Sequence, residues 1–194
     1  MADEIGYARV HLDSAKLRCL AHPLRTRLLG ALRVDGPATS ARLADRLNTN
    51  TGATSYHLRQ LADVGLVTED EDRGTGRERW WQAAHEVSTW TETRFMEDPD
   101  DRAAAEWLLG HNLRNKTRWR EDWLETRQEW PWEWREAADS SDLRLDLTPP
   151  QLRAMNAELL EVIRRFRVAG PEAGGDVQPV MVLLDAFPAP RLNL

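Results

Sequence analysis

Asn50-Thr51-Gly52-Ala53-Thr54-Ser55-Tyr56-His57-Leu58-Arg59-Gln60-Leu61, continuing as Ala62-Asp63-Val64-Gly65-Leu66-Val67, is the stretch whose reading decides the fold. Leu58 and Leu61 stand one helical step apart and Thr54 extends their row one turn upstream, while Ser55, Tyr56, Arg59 and Gln60 fall on the other side. The spacing predicts a short helix with a narrow apolar seam and a polar outer face. Asn50 and Thr51 are residue types that accept the free backbone N–H groups of a first turn, and Gly65 is the type that ends a helix in the left-handed conformation.

Working outward, Leu43, Ala44 and Leu47 recur at helical spacing within residues 40–47, and only Asn48-Thr49-Asn50 separates that helix from the next. Two helices joined this tightly, the second with a polar face, read as a helix-turn-helix. Downstream, Leu66 to Asp70 and Glu78 to Gln82 are short extended runs around the tip Arg73-Gly74-Thr75-Gly76-Arg77. That pattern predicts a β-hairpin, here a wing.

These residues resemble the ArsR type of winged helix-turn-helix regulators. The likeness is carried by Leu20-Ala21-His22-Pro23-Leu24-Arg25-Thr26-Arg27-Leu28-Leu29, by Ser55-Tyr56-His57-Leu58-Arg59-Gln60-Leu61, and by Gly65-Leu66-Val67 leading into an Arg-tipped wing. It covers roughly residues 12 to 84. The resemblance implies a homodimer joined through the first helix and the helix after the wing, here near Asp13 to Leu20 and near Glu86 to Met96. Its metal-sensing members use cysteine clusters or Asp/His pairs on terminal helices, and this chain has neither pattern.

For the recognition helix, the functional expectation is that Thr51, Thr54, Ser55, Tyr56, Arg59 and Gln60 meet duplex DNA. Arginine reads guanine, glutamine reads adenine, and hydroxyls take phosphate or base edges. His57 suits either a phosphate contact or half-burial against the core. Arg73, Arg77 and Arg79 of the wing would grip the backbone or minor groove. Charge sets a condition on this reading. Residues 1–84 hold 12 Lys and Arg against 11 Asp and Glu, and residues 85–194 hold 14 against 21, within a net charge of −6. Arg42, Arg46 and Arg59 must therefore gather with the wing arginines on one face, because phosphate neutralisation dominates affinity. The rival expectation is a protein-interaction module, favoured by the acidic balance and by Glu69 to Asp72 beside the wing.

Upstream, Ile5, Tyr7 and Val10 suit a short strand or a tethered arm. Asp13 or Ser14 can cap a helix carrying Leu17 and Leu20, which the His22-Pro23 step should end because the residue before proline avoids the α region. A second helix follows with Leu24, Leu28, Leu29 and Leu32 as its stripe, stopped by Asp35-Gly36-Pro37. Cys19, the single cysteine, sits among apolar neighbours and reads as a small core residue. A core of about 70 residues is marginal alone, which favours an added element or a partner.

After the wing the composition shifts: seven of the nine tryptophans, Trp90, Trp107, Trp119, Trp123, Trp130, Trp132 and Trp134, lie there. A helix is expected from Asp100 or Asp101, with Leu109, Leu113, Trp119, Trp123, Leu124, Trp130 and Trp134 on one face and an interruption at Pro131. Lys116, Arg120 and Arg127 fall in the same arc. Together with Trp119, Trp123 and Trp130 they suit either cation–π packing at a dimer face or a pocket for an anionic aromatic effector. Leu143-Arg144-Leu145-Asp146-Leu147 alternates as a half-buried strand. Thr148-Pro149-Pro150-Gln151 has capping-box spacing for a helix burying Leu152, Met155, Leu159, Val162 and Phe166, and Val180-Met181-Val182-Leu183-Leu184 has strand length.

The expected fold is mainly α with small β. It comprises a winged helix-turn-helix DNA-binding domain (12–84), a helical dimerisation and candidate effector region (85–138), and a β-α-β segment (139–187). No catalytic constellation, cofactor motif or metal-ligand spacing appears. His85-Glu86 opens like a zinc-protease helix, but Thr89 stands where the second histidine is required. Without an apolar run of about 20 residues or a leader pattern, the expected location is cytoplasmic. The expected partners are double-stranded DNA and a second copy.

Overall fold

Capping chemistry sets most of the helix ends in the computed structural model, which describes residues 8–73, 78–170 and 174–189. The Asp13 carboxylate accepts from the Lys16 N–H at the start of α1 (Ser14–Leu20). His22, in extended backbone before proline, accepts from the Leu24 N–H through Nδ1 and opens α2 (Pro23–Asp35). Thr39 caps α3 (Ser40–Arg46), and the Asn50 side chain accepts from the Ala53 N–H at 2.8 Å to open α4 (Thr51–Asp63). Between α3 and α4, Asn48 takes a positive φ of 50°, which asparagine tolerates better than most residues. At the far end of α4, Gly65 at φ 73° lets its own N–H reach the Ala62 carbonyl and the Leu66 N–H reach that of Leu61. This double closure is the Schellman arrangement, and it ends the helix on glycine as the sequence implied.

The wing pairs β3 (Val67–Glu69) antiparallel with β4 (Trp80–Ala83), and β2 (Ala38–Thr39) closes the other edge in the order β2-β4-β3. A second, two-stranded sheet joins β1 (Arg9–His11) in parallel to β5 (Val87–Thr89). Of the arm or strand proposed near the N-terminus, Val10 is in β1, and Ile5 and Tyr7 lie outside the described residues.

Met1–Leu113 forms one unit. Its core joins Leu12, Leu17, Leu20, Leu28, Leu29, Leu32, Leu43, Leu58, Leu61 and Leu66 with Trp81 and Phe95. α5 (Pro99–Thr126) begins in this unit, where Ala104, Ala105 and Leu108 are buried. Its start is held to α1: Ser14 Oγ donates to Asp101 Oδ2 at 2.6 Å, and Arg18 pairs with Asp101 and with Asp98. Asp98 caps α5 by accepting from the N–H groups of Asp100 and Asp101, which with Arg18 holds its carboxyl below the usual range. The helix expected near Glu86 to Met96 is replaced by β5 and a 3-10 turn at Glu92–Phe95. Val87 and Thr89 are β-branched and find a ladder partner in β1, while the cap for the next helix is Asp98.

Arg114–Leu194 forms the second unit. Here α5 ends, a 3-10 turn spans Arg127–Glu129, and Pro131 precedes α6 (Trp132–Ala137). The broad apolar face expected on this helix is not buried: Leu109, Leu113, Trp119 and Leu124 are exposed. α7 (Pro149–Ala169) opens on the expected capping box between Thr148 and Gln151. Its stripe is likewise open, with Leu159, Val162 and Phe166 exposed. The expected β-α-β segment is corrected: among the described residues neither 143–147 nor 180–184 belongs to a ladder, so α7 stands there without strands. Two short strands that do not meet cannot satisfy each other's backbone, and no third strand is supplied. Among the described residues no helix is long and apolar enough to cross a membrane.

Candidate nucleic-acid interface

The seam of α4 packs inward through Thr54, Leu58 and Leu61, all fully buried, and this sets which residues its other face presents. Thr51, Tyr56 and Arg59 are exposed, Ser55 and Gln60 are half-buried, and Gln60 Nε2 donates to Asp63 Oδ2 at 3.2 Å. Thr54 is therefore corrected from a DNA contact to a core residue. It continues the Leu58 and Leu61 row, and its hydroxyl has no hydrogen-bond partner. Arg59 makes no side-chain hydrogen bond or ion pair among the described residues, leaving its guanidinium free for an anion.

His57 turns toward the first-helix junction. Its ring lies 4.3 Å from that of His22 at an interplanar angle of 38°, and Tyr56 meets it edge-on at 5.1 Å. The buried His57 Nδ1 has no partner. Burial pushes the His22 and His57 imidazoles below the ordinary value. Arg25 repels a proton on His22, and His22 and Arg25 repel one on His57. Cys19 donates from Sγ to the Gln60 carbonyl at 3.4 Å, tying α1 to α4, and burial raises its thiol pKa.

The arginines do not present a plain cationic face. Arg42 lies over the Trp80 ring at 4.7 Å and Arg79 over Trp81 at 5.7 Å. Arg79 also pairs with Glu69 at 3.1 Å, Arg73 with Asp70 at 3.2 Å, and Arg46 with Asp35 at 2.7 Å. Arg77 lies outside the described residues, as do Gly74 to Gly76 of the expected wing tip. Arg27, which the sequence did not single out, donates to the Leu47 carbonyl at 2.9 Å and braces the turn between α3 and α4. The only hint of it in the sequence is its place one turn after Pro23. Arg33 braces the other side, donating to the His85 carbonyl and to Ser88 Oγ. Its burial lowers the guanidinium to about 10.

A core of four helices, a tight α3–α4 turn and an adjoining β-hairpin make a winged helix-turn-helix. The model of a family described as "Helix-turn-helix domain" matches residues 20–70. This segment belongs to the helix-turn-helix family. The match takes in α2, α3, α4 and β3. Among solved structures, the chain is similar to a possible transcriptional regulator for arsenical resistance, at 30% identity over 50% of this chain and 82% of that one, with a TM-score of 0.32. It is also similar to reduced HlyU from Vibrio cholerae N16961, at 23% identity over 51% and 84%, with a TM-score of 0.32. A third likeness is to wild-type ZitR of Lactococcus lactis in complex with DNA, at 17% identity over 77% of each chain, with a TM-score of 0.28. Comparison with curated proteins gives no match.

The residues proposed for an effector site are only partly brought together. Trp123 and Arg127 join Trp132, Arg135, Glu136 and Asp139 around an open depression of about 310 Å³. Lys116, Trp119, Arg120 and Trp130 do not line it. Lys116 donates instead to the Leu184 carbonyl and pairs with Asp185. Trp130 meets Trp123 at 6.2 Å and Trp134 at 6.3 Å, so the aromatic cluster packs on itself.

Proposed function

We propose that this chain is a homodimeric transcriptional regulator that reads duplex DNA through the helix-turn-helix segment. α4 would lie in the major groove and the wing along the adjacent backbone. The observation that carries this is the exposed side of α4. Thr51, Tyr56 and the unpaired Arg59 project from a helix whose opposite side is locked into the core. An arginine there can bond a guanine edge in bidentate fashion, and Tyr56 can reach a phosphate or an apolar base edge. Two such helices related by a two-fold axis would engage half-sites about 34 Å apart.

The ion pairs at Arg46, Arg73 and Arg79 bear on strength. Phosphates must compete with Asp35, Asp70 and Glu69 for these cations, so affinity rests more on Arg42 and Arg59. Binding is expected to be modest and strongly dependent on salt.

A duplex selected from a random pool, titrated by fluorescence anisotropy at several salt concentrations, tests the reading. Arg59→Ala should weaken binding about tenfold and relax the preference for guanine at the base pair it reads. A wild-type chain whose affinity for every duplex is unaffected by salt would overturn it and favour a protein partner.

A further inference from the structure

Residues 114–194 contain no buried side chain among those described, yet they carry a run that is symmetric about its own centre. In Leu143-Arg144-Leu145-Asp146-Leu147 the three leucines fall on one face of an extended chain and Arg144 and Asp146 on the other. All five are exposed, Leu143 at 85%, and none makes a backbone hydrogen bond among the described residues. Arg144 and Asp146 have no side-chain partner there either. A groove of about 440 Å³ runs beside this segment, lined by residues 144–148 with Gln151, Pro188 and Ala189. Unpaired N–H and C=O groups flanked by alternating apolar side chains form an open strand edge, which proteins ordinarily cover or pair.

We infer that residues 142–148 pair antiparallel with the same residues of a second copy, about a two-fold axis through Leu145. In that register Leu145 faces Leu145 and Leu143 faces Leu147. On the opposite face Arg144 of each copy meets Asp146 of the other. A parallel, in-register pairing would set Arg144 against Arg144 and Asp146 against Asp146, which is unfavourable. The order of charges therefore selects both the occupant and its direction: the segment is complementary to itself only when reversed, as an isologous contact requires. The ladder ends at Pro149, which has no N–H to donate. Six leucines then share one face. The stripe of α7, starting one residue after Thr148, is the apolar surface of the same unit available to cover them. The alternative partner within the chain, residues 180–184, forms no ladder with this segment and carries no charge that would fix a register. This pairing goes beyond the DNA reading and does not rest on it.

Charge swaps on the full chain, followed by sedimentation equilibrium, test the pairing. Arg144→Asp and Asp146→Arg each place like charges opposite one another twice per dimer, and each should raise the dimer dissociation constant about tenfold or more. The double variant R144D/D146R restores both pairs and should dimerise like the wild type, and an equimolar mixture of the two single variants should form heterodimers. Leu145→Cys in a Cys19→Ser background should oxidise to a disulfide-linked dimer, because that position lies on the axis. The pairing is overturned if the wild type stays monomeric, if the single variants dimerise as tightly as wild type, or if the double variant stays as weak as the singles. Absence of the disulfide would overturn it too. DNA titration of the same variants is a separate readout: a monomeric wild type would overturn both this pairing and the two-fold reading of DNA, whereas single variants that dimerise as tightly as wild type and still bind DNA would overturn the pairing alone.

Discussion

Replacing Thr54 by valine separates the core role of this residue from the DNA-contacting role its position in the recognition helix suggests. The Thr54 side chain is fully buried and its hydroxyl is bonded to nothing. Leaving a hydroxyl buried without a partner costs roughly 1–3 kcal/mol relative to its hydrated state in the unfolded chain. Valine has the same branched shape, packs a methyl where the hydroxyl sat, and differs little from threonine in helix propensity. Thr54→Val should therefore stabilise the protein by about 1 kcal/mol or more, raising the Tm by roughly 4 °C if a unit of ~100 residues unfolds as one. Urea titration should show a higher midpoint with an unchanged slope, since the surface exposed on unfolding is the same. DNA affinity at fixed salt should stay within about threefold, less than 1 kcal/mol. A variant that is less stable than the wild type, or one that keeps its stability and loses DNA binding, would refute the placement of Thr54 in the core.

Further outcomes follow from the same geometry. Gly65→Ala should destabilise by about 1–2 kcal/mol in thermal or urea melts, because alanine at φ 73° pays the left-handed penalty while the space beside it is open. Asn50→Ala should cost about 1 kcal/mol by removing the cap on α4, and Asn50→Asp, which keeps a capping oxygen, should retain most of that contribution. Stability should also depend on pH through His22 and His57. Both rings are held below the ordinary imidazole value when folded, so the unfolded chain takes up protons first as pH falls. Their contribution is complete above about pH 6.5 and is lost below it, through the lowered folded values, as measured by urea midpoints between pH 8 and pH 5. Protonating His22 also removes its Nδ1 as the acceptor that caps α2, and His22→Asn/His57→Gln should flatten that dependence.

The helix-turn-helix was legible because its signals are local. Asn50, Gly65 and the Leu58 and Leu61 row each act within one turn of the chain, and the structure uses them as read. Even Thr54 belongs visibly to that row, and its register, not its hydroxyl, decides that it is buried. Thr51, Tyr56 and Arg59 are exposed for the converse reason: the register that buries the seam leaves them on the other side.

What only the tertiary structure decided is the company each charge and each extended run keeps. Arg46 and Arg79 are arginines at suitable positions for DNA, but pairing with Asp35 and Glu69 depends on packing between elements or on a hairpin's own twist, whereas Arg73 finds Asp70 only three residues away. No sequence period encodes the first two pairings. The same holds for residues 87–89, where β-branched Val87 and Thr89 form a strand only because β1 supplies a ladder. Residues 143–147 show the opposite limit: alternation marks the faces of a strand, but a strand exists only when a neighbour meets its backbone. A local pattern can be read from one chain because its physics acts within one turn, whereas hydrogen-bond partners and counter-charges are set by which distant segments come together.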